Sequence, residues 1–118
     1  MRQPAWIELL MQVKLLAKRA HGLTEASSAG DTIASFTGLV KGLYILDQGK
    51  VASKTEATRW FVALLGGKAG DAANEANRLR KGDFREGTGS LRRLSGPFLE
   101  AIDGELARLE RRVTAALR

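Results

Sequence analysis

Apolar positions along this chain recur at steps of three and four residues, and no segment sustains an alternation of period two, so the pattern predicts helices throughout. In the stretch PAWIELLMQVKLLAKRA, Ile7, Leu10, Val13, Leu16 and Ala20 make one apolar stripe. Pro4 suits a first helical turn, where its missing N–H costs nothing. Lys18 and Arg19 fall in the last turn, where the helix dipole favours cations. Gly22 is the expected stop, and the following LTEASSAG has turn composition.

A second helix is expected to start at Asp31 as N-cap or a little earlier, to bury Ile33, Phe36, Val40, Leu43 and Tyr44, and to end at Gly49. Gly38 and Gly42 lie inside it, each about 1 kcal/mol worse than alanine. That cost predicts another helix packed closely against them. The third helix has the clearest start: Ser53 followed by Glu56 is a capping box, in which serine hydroxyl and glutamate carboxylate each accept from the other's backbone N–H. Ala57, Trp60, Phe61 and Leu64 are expected to face inward, and Gly66 and Gly67 to end it.

A short fourth helix, from about Asp71 to Arg80, carries Ala72, Ala73, Ala76 and Leu79 on a face suited to close packing. The segment KGDFREGTG reads as a connection anchored by Phe84. The final stripe is Leu91, Leu94, Phe98, Ile102, Leu106, Leu109, Val113 and Leu117. Pro97 either kinks this helix or, with Ser95 as cap, begins it afresh. Arg108, Arg111 and Arg112 fall mostly off the stripe and read as a solvated face. The expected fold is all-α: a single domain over residues 1–118, an antiparallel bundle of about five helices.

At 118 residues the chain is long enough to bury a core without covalent staples. It has no cysteine, and its one histidine, His21, cannot build a metal site or a triad by itself. No apolar run approaches the roughly 18 residues of a membrane helix, and the N-terminus lacks the layout of a secretory signal. A cytoplasmic protein with no membrane partner is expected. The net charge of +6 favours a phosphate-bearing or polyanionic partner. Against a nucleic-acid surface, acidic residues are mixed among the basic ones and only 6% of residues are aromatic, too few for a stacking platform.

Most catalytic chemistry is missing. There is no Walker-type phosphate loop and no dinucleotide-binding glycine pattern. Asp103 and Glu105 are two apart on a predicted helix, where such side chains diverge, so they read as solvated and not as a metal pair. No residue is assigned a catalytic or metal-binding role. One stretch stands out, DQGKVASKTEATRWF at residues 47–61, where Lys50 and Lys54 flank the predicted start of the third helix. A helix start offers free N–H groups and partial positive charge, to which two ammonium groups add, so Lys50 and Lys54 are candidate phosphate ligands.

These residues also carry a resemblance. Taken with AGD and LVKGLYILDQGKVASKTEATRWFVALL, they look like the C-terminal helical domain of the streptomycin/spectinomycin-type aminoglycoside adenylyltransferases. The matching features are Gln48-Gly49-Lys50, Ser53-Lys54, Ala57 and Trp60, continuing through ANRLRKGDF and weakly into the last helix, over roughly residues 29 to 117. The resemblance implies a non-catalytic substrate-binding domain whose nucleotidyltransferase is supplied by another domain or chain, with ATP, its magnesium and the drug held in the cleft between them. It implies that Lys54 contacts the nucleotide phosphates and that Asp31 binds ammonium groups of an aminoglycoside-like substrate, as a carboxylate suits a polycation. Arg80 stands where the family tends to have a tyrosine near the nucleotide; an arginine there would hold phosphate. Lys41 stands where the family has an arginine, and loses the bidentate geometry. The family's metal carboxylates and catalytic base have no counterpart here.

Two other readings compete. One is the helical partner of a two-gene nucleotidyltransferase module. Arg19 precedes His21 by only two residues, so the ribonuclease motif of toxin-like partners is absent. The other is a basic helical nucleic-acid binder, whose affinity would fall steeply with salt.

Overall fold

The computed structural model describes residues 3–24, 27–82 and 89–116. They form five helices and no strand: α1 (Gln3–His21), α2 (Ala29–Gln48), α3 (Lys54–Leu65), α4 (Gly67–Lys81) and α5 (Gly89–Ala116). Phe84 and Leu117 lie outside the described residues. No helix among the described residues is long and apolar enough to cross a membrane. The all-helical expectation holds.

The 28-residue α5, about 42 Å at 1.5 Å per residue, is nearly as long as the whole particle, which measures 48 × 26 × 23 Å. α2 is the centre, since it packs against every other helix. α1 closes one side against α2 and α5, while α3 and α4 pack together, α4 also resting on α5. Three aromatic rings tie the middle together. Phe36 stacks on Phe98 with centroids 4.4 Å apart, and Phe61 approaches Phe98 at 5.7 Å. Burying rings of this size supplies a large apolar area, and ring–ring geometry adds about 0.5–1.5 kcal/mol per pair.

The helix starts follow the hydroxyl caps. Ser28 is the N-cap of α2, its Oγ accepting from the Asp31 N–H at 3.0 Å. Asp31 therefore lies within the first turn and is not the cap, which moves the start three residues earlier than Asp31 itself would. Ser53 caps α3 as expected, accepting from the Glu56 N–H at 3.1 Å. Only this half of the capping box forms among the described residues; the Glu56 side chain is exposed. α2 ends at Gly49, in the left-handed region at φ 71°. Gly66, at φ 57°, closes α3 and at once precedes α4. α4 thus begins at Gly67, ahead of the Asp71 expected, because residues 67–70 continue the turn onto α3: Ala69 and Gly70 are buried.

The alanine face of α4 is buried as expected, with Ala72, Ala73, Ala76 and Leu79 all at or below 1% exposure. Leu64, expected inside, is 48% exposed, because α3 has turned that side to solvent near its end. Trp60 is half-buried, edge-to-face with Tyr44 at 5.5 Å. Pro97 lies inside a continuous α5 and does not start a new helix. Ser95 is no cap: its hydroxyl donates to the Arg92 carbonyl at 2.8 Å.

The arginines near the end of α5 are not simply a solvated face. Arg108 Nη2 and Arg112 Nη1 both reach Asp47 Oδ1, at 3.3 and 3.1 Å. Arg112 Nη2 also donates to the carbonyls of Leu46 and Asp47, capping the end of α2, and its guanidinium lies 5.4 Å from the Trp6 ring centre. Partial burial pushes the Asp47 carboxyl up. The Gln48 amide and the Arg108 and Arg112 guanidinium groups outweigh it and leave the carboxyl below the ordinary aspartate value. Asp103 and Glu105 diverge as expected: Asp103 meets His21 Nε2 at 2.8 Å, while Glu105 meets Arg108 Nη2 at 2.8 Å.

Candidate phosphate site at the start of the third helix

Lys54 is the first residue of α3, directly after the Ser53 cap. Ser53 satisfies the Glu56 N–H through its hydroxyl and the Ala57 N–H through its carbonyl, at 3.1 and 3.0 Å. The Lys54 and Thr55 N–H groups come too early in the helix to have a carbonyl partner within it.

The end of α4 is stitched to this point. Arg80 donates from Nη2 and Nε to Asn77 Oδ1 at 2.9 and 3.2 Å, and from Nη2 to Thr55 Oγ1 at 3.4 Å. Asn77 Nδ2 donates to the same Thr55 hydroxyl at 3.5 Å. Asn77 and Thr55 thus hold the guanidinium beside the Lys54 turn. Lys41, from the middle of α2, completes the group. Partial burial, then the nearby Arg80 and Lys41 charges, hold the Lys54 ammonium below the ordinary lysine value.

Among the described residues, the ion pairs that form engage none of Lys41, Lys54 and Arg80 with a carboxylate. Other basic residues do have carboxylate partners: Lys14 with Glu110, Arg78 with Glu75, Arg108 with Glu105 and Asp47, and Arg112 with Asp47. Three cations held together without a counter-charge repel one another, and an anion placed among them relieves that repulsion.

Of the residues singled out from sequence, the fold brings Lys54 and Arg80 together. Lys50 lies exposed in the turn before the cap, and no interaction joins it to the cluster. Asp31 is exposed in the first turn of α2. It is ten residues from Lys41, about 15 Å along the helix, and so is not part of the cationic group. Lys41 is the member that sequence reasoning left out of the site. Its only signal was the position it shares with an arginine of the resembled family; Asn77 and Thr55, which position Arg80, gave none.

Away from this cluster, a concavity of about 260 Å3 opens near the start of α2. Buried Phe36, Leu99 and Ala20 line it together with the polar side chains of His21, Thr32 and Ser95. Its lining carries no carboxylate and does not include Asp31, so it is chemically unsuited to a polycation. Among the described residues no three His, Asp or Glu side chains gather where a metal ion could be held.

No protein family, characterised protein or solved structure matches this chain.

Proposed function

We propose that this chain is a helical domain that binds the phosphates of a nucleotide for an adenylyltransferase whose catalytic centre another domain or chain supplies. In this reading the five helices form an antiparallel bundle acting in the cytoplasm. Lys54, Lys41 and Arg80 take the phosphate oxygens, and Asp31, some 15 Å along α2, receives an ammonium group of an aminoglycoside-like substrate. Lys50 contributes charge from the margin. The cationic cluster suits phosphates. Magnesium would be held by carboxylates of the partner, as this chain's described residues gather none for it.

One observation carries the reading: Lys54 at a helix start feels the charges of Arg80 and Lys41, and among the described residues no ion pair joins any of the three to a carboxylate. An uncompensated group of like charges that lowers a lysine's basicity is an arrangement found at functional sites. The resemblance to the aminoglycoside adenylyltransferases supplies the ligand class. In this reading the chain's own residues bind and orient, and the transfer chemistry comes from the partner.

Calorimetric titration of the chain with ATP, pyrophosphate and an aminoglycoside tests this. Expected are saturable binding of ATP and pyrophosphate, a loss of at least about tenfold in Lys54→Ala, as one charge-assisted contact disappears, and no turnover without an added nucleotidyltransferase. Absence of ATP and pyrophosphate binding by the wild-type chain overturns the reading. So does binding of RNA or DNA with a steep salt dependence while ATP fails to bind.

A further inference from the structure

α1 shows solvent two large apolar side chains near its middle. Met11 is 66% and Leu15 53% exposed, although both lie mid-helix. Glu8 and Lys18 flank them, also exposed, and among the described residues neither has an ion-pair partner in its own chain. The opposite side of α1, with Leu10, Val13, Ala17 and Ala20, is spent on the core.

The order of these four residues has a symmetry of its own. Glu8, Met11, Leu15 and Lys18 follow one another at steps of three, four and three, the spacing of a coiled-coil seam. Val13 is midway between Met11 and Leu15, and also midway between Glu8 and Lys18. A two-fold axis at the level of Val13 would therefore set a second α1, running the opposite way, in register with the first. Met11 would then face Leu15 of the second copy, and Glu8 would face Lys18, each pairing occurring twice. Opposite charges meet opposite charges, and apolar side chains meet apolar ones. An isologous interface requires this self-complementarity, and an arbitrary partner would not.

We propose that α1 is a self-association surface, through which two copies of this chain pair as antiparallel helices over the Glu8–Lys18 segment. The seam spans about 15 Å and has two apolar layers. It falls at the small end of specific interfaces, so the dimer is weak and depends on concentration. The Lys14 stem borders the seam beside Met11 and Leu15, while its ammonium is held by Glu110 on α5 at 3.0 Å. The surface lies on α1, apart from the phosphate cluster on α2, α3 and α4, and the inference does not depend on the proposed function.

Sedimentation equilibrium of the full chain from about 10 µM to about 1 mM, the range in which small interfaces dissociate, tests it. The weight-average mass is expected to rise from 12.8 kDa toward twice that value. Leu15→Glu should remain monomeric throughout while its helical circular dichroism is unchanged, because the side chain is exposed. Glu8→Lys alone and Lys18→Glu alone each set like charges face to face, and should weaken association at least about fivefold. The double variant, Glu8→Lys with Lys18→Glu, restores both pairs in reverse and should return to within about twofold of wild type. A wild-type chain that stays monomeric at every concentration overturns the proposal. A dimer indifferent to Leu15→Glu, or a double reversal no better than the single ones, also overturns it.

Discussion

Gly42 of α2 lies against Val13 of α1 with no room for a methyl group: a Cβ built on the glycine would sit 2.7 Å from Val13 Cγ2. Val13 is 4% exposed and its branched side chain is held on all sides, so it has little freedom to give way. One turn away, a Cβ on Gly38 would lie 3.1 Å from the Cδ2 end of the half-buried Leu16, which can rotate. The two glycines let α1 and α2 approach closely, and only one of them is strictly required.

Alanine substitutions should separate these cases. Gly42→Ala gains up to about 1 kcal/mol of helix propensity but overpacks a rigid contact, at about 1–3 kcal/mol, and should lower the melting temperature. Gly38→Ala should be near neutral. Gly104→Ala on α5, where a Cβ meets nothing within 4 Å, should raise stability by about 0.5–1 kcal/mol. Thermal unfolding of the three variants checks the order.

The two serine caps should matter equally, although only one begins a capping-box sequence. Ser28→Ala and Ser53→Ala should each cost about 1 kcal/mol, a shift of a few degrees in melting temperature. Asp31→Asn should leave stability nearly unchanged, because the Asp31 backbone N–H, not its carboxylate, meets Ser28. A stability loss in Asp31→Asn as large as that in Ser28→Ala would contradict the assignment of the cap.

Asp47 should make the junction of α2 and α5 sensitive to acid. Its native carboxyl titrates below the ordinary aspartate value. The stability it contributes is therefore complete above about pH 4 and is lost as pH falls through the lower native value. Asp47→Asn should be less stable by about 1–2 kcal/mol at neutral pH and should lose less on further acidification. Arg112→Ala should be similarly destabilised, since it also leaves two carbonyls at the end of α2 without their donor.

The crowded cations predict an opposite response to anions. Pyrophosphate at about ten times its dissociation constant should stabilise the wild type by about 1.4 kcal/mol, a rise of a few degrees. Potassium chloride at matched ionic strength should do less. Lys54→Met should be no less stable than wild type without ligand and should lose the pyrophosphate response. For Lys54 the sign with pH is reversed from Asp47: its ammonium is disfavoured in the folded state, so stability should rise as pH climbs through its lowered native value toward the ordinary lysine value of about 10.4. Differential scanning calorimetry at several pH values measures both effects.

Local chemistry in the sequence was enough to specify the helices. The spacing of Leu10, Val13 and Ala20, the Ser53 cap, the left-handed Gly49 and the alanine face of α4 each act within a few residues, and each appears where its own stereochemistry requires. The close approach at Gly42 was also legible, because an interior glycine is unfavourable unless something packs on it. Of the cationic cluster, Lys54 could be read from the residues, since it announces itself beside a helix start, and Arg80 through the resemblance alone. Tertiary structure alone decided the rest. Lys41, Lys54 and Arg80 come within reach of one another only when the end of α4 meets the start of α3 and both rest on α2. Arg108 and Arg112 find Asp47 only because α5 runs far enough to reach the end of α2. Side-chain charge acts through space, across separations in sequence that carry no periodic or capping signal, so its partners are fixed by how the helices pack and not by any stretch of chain.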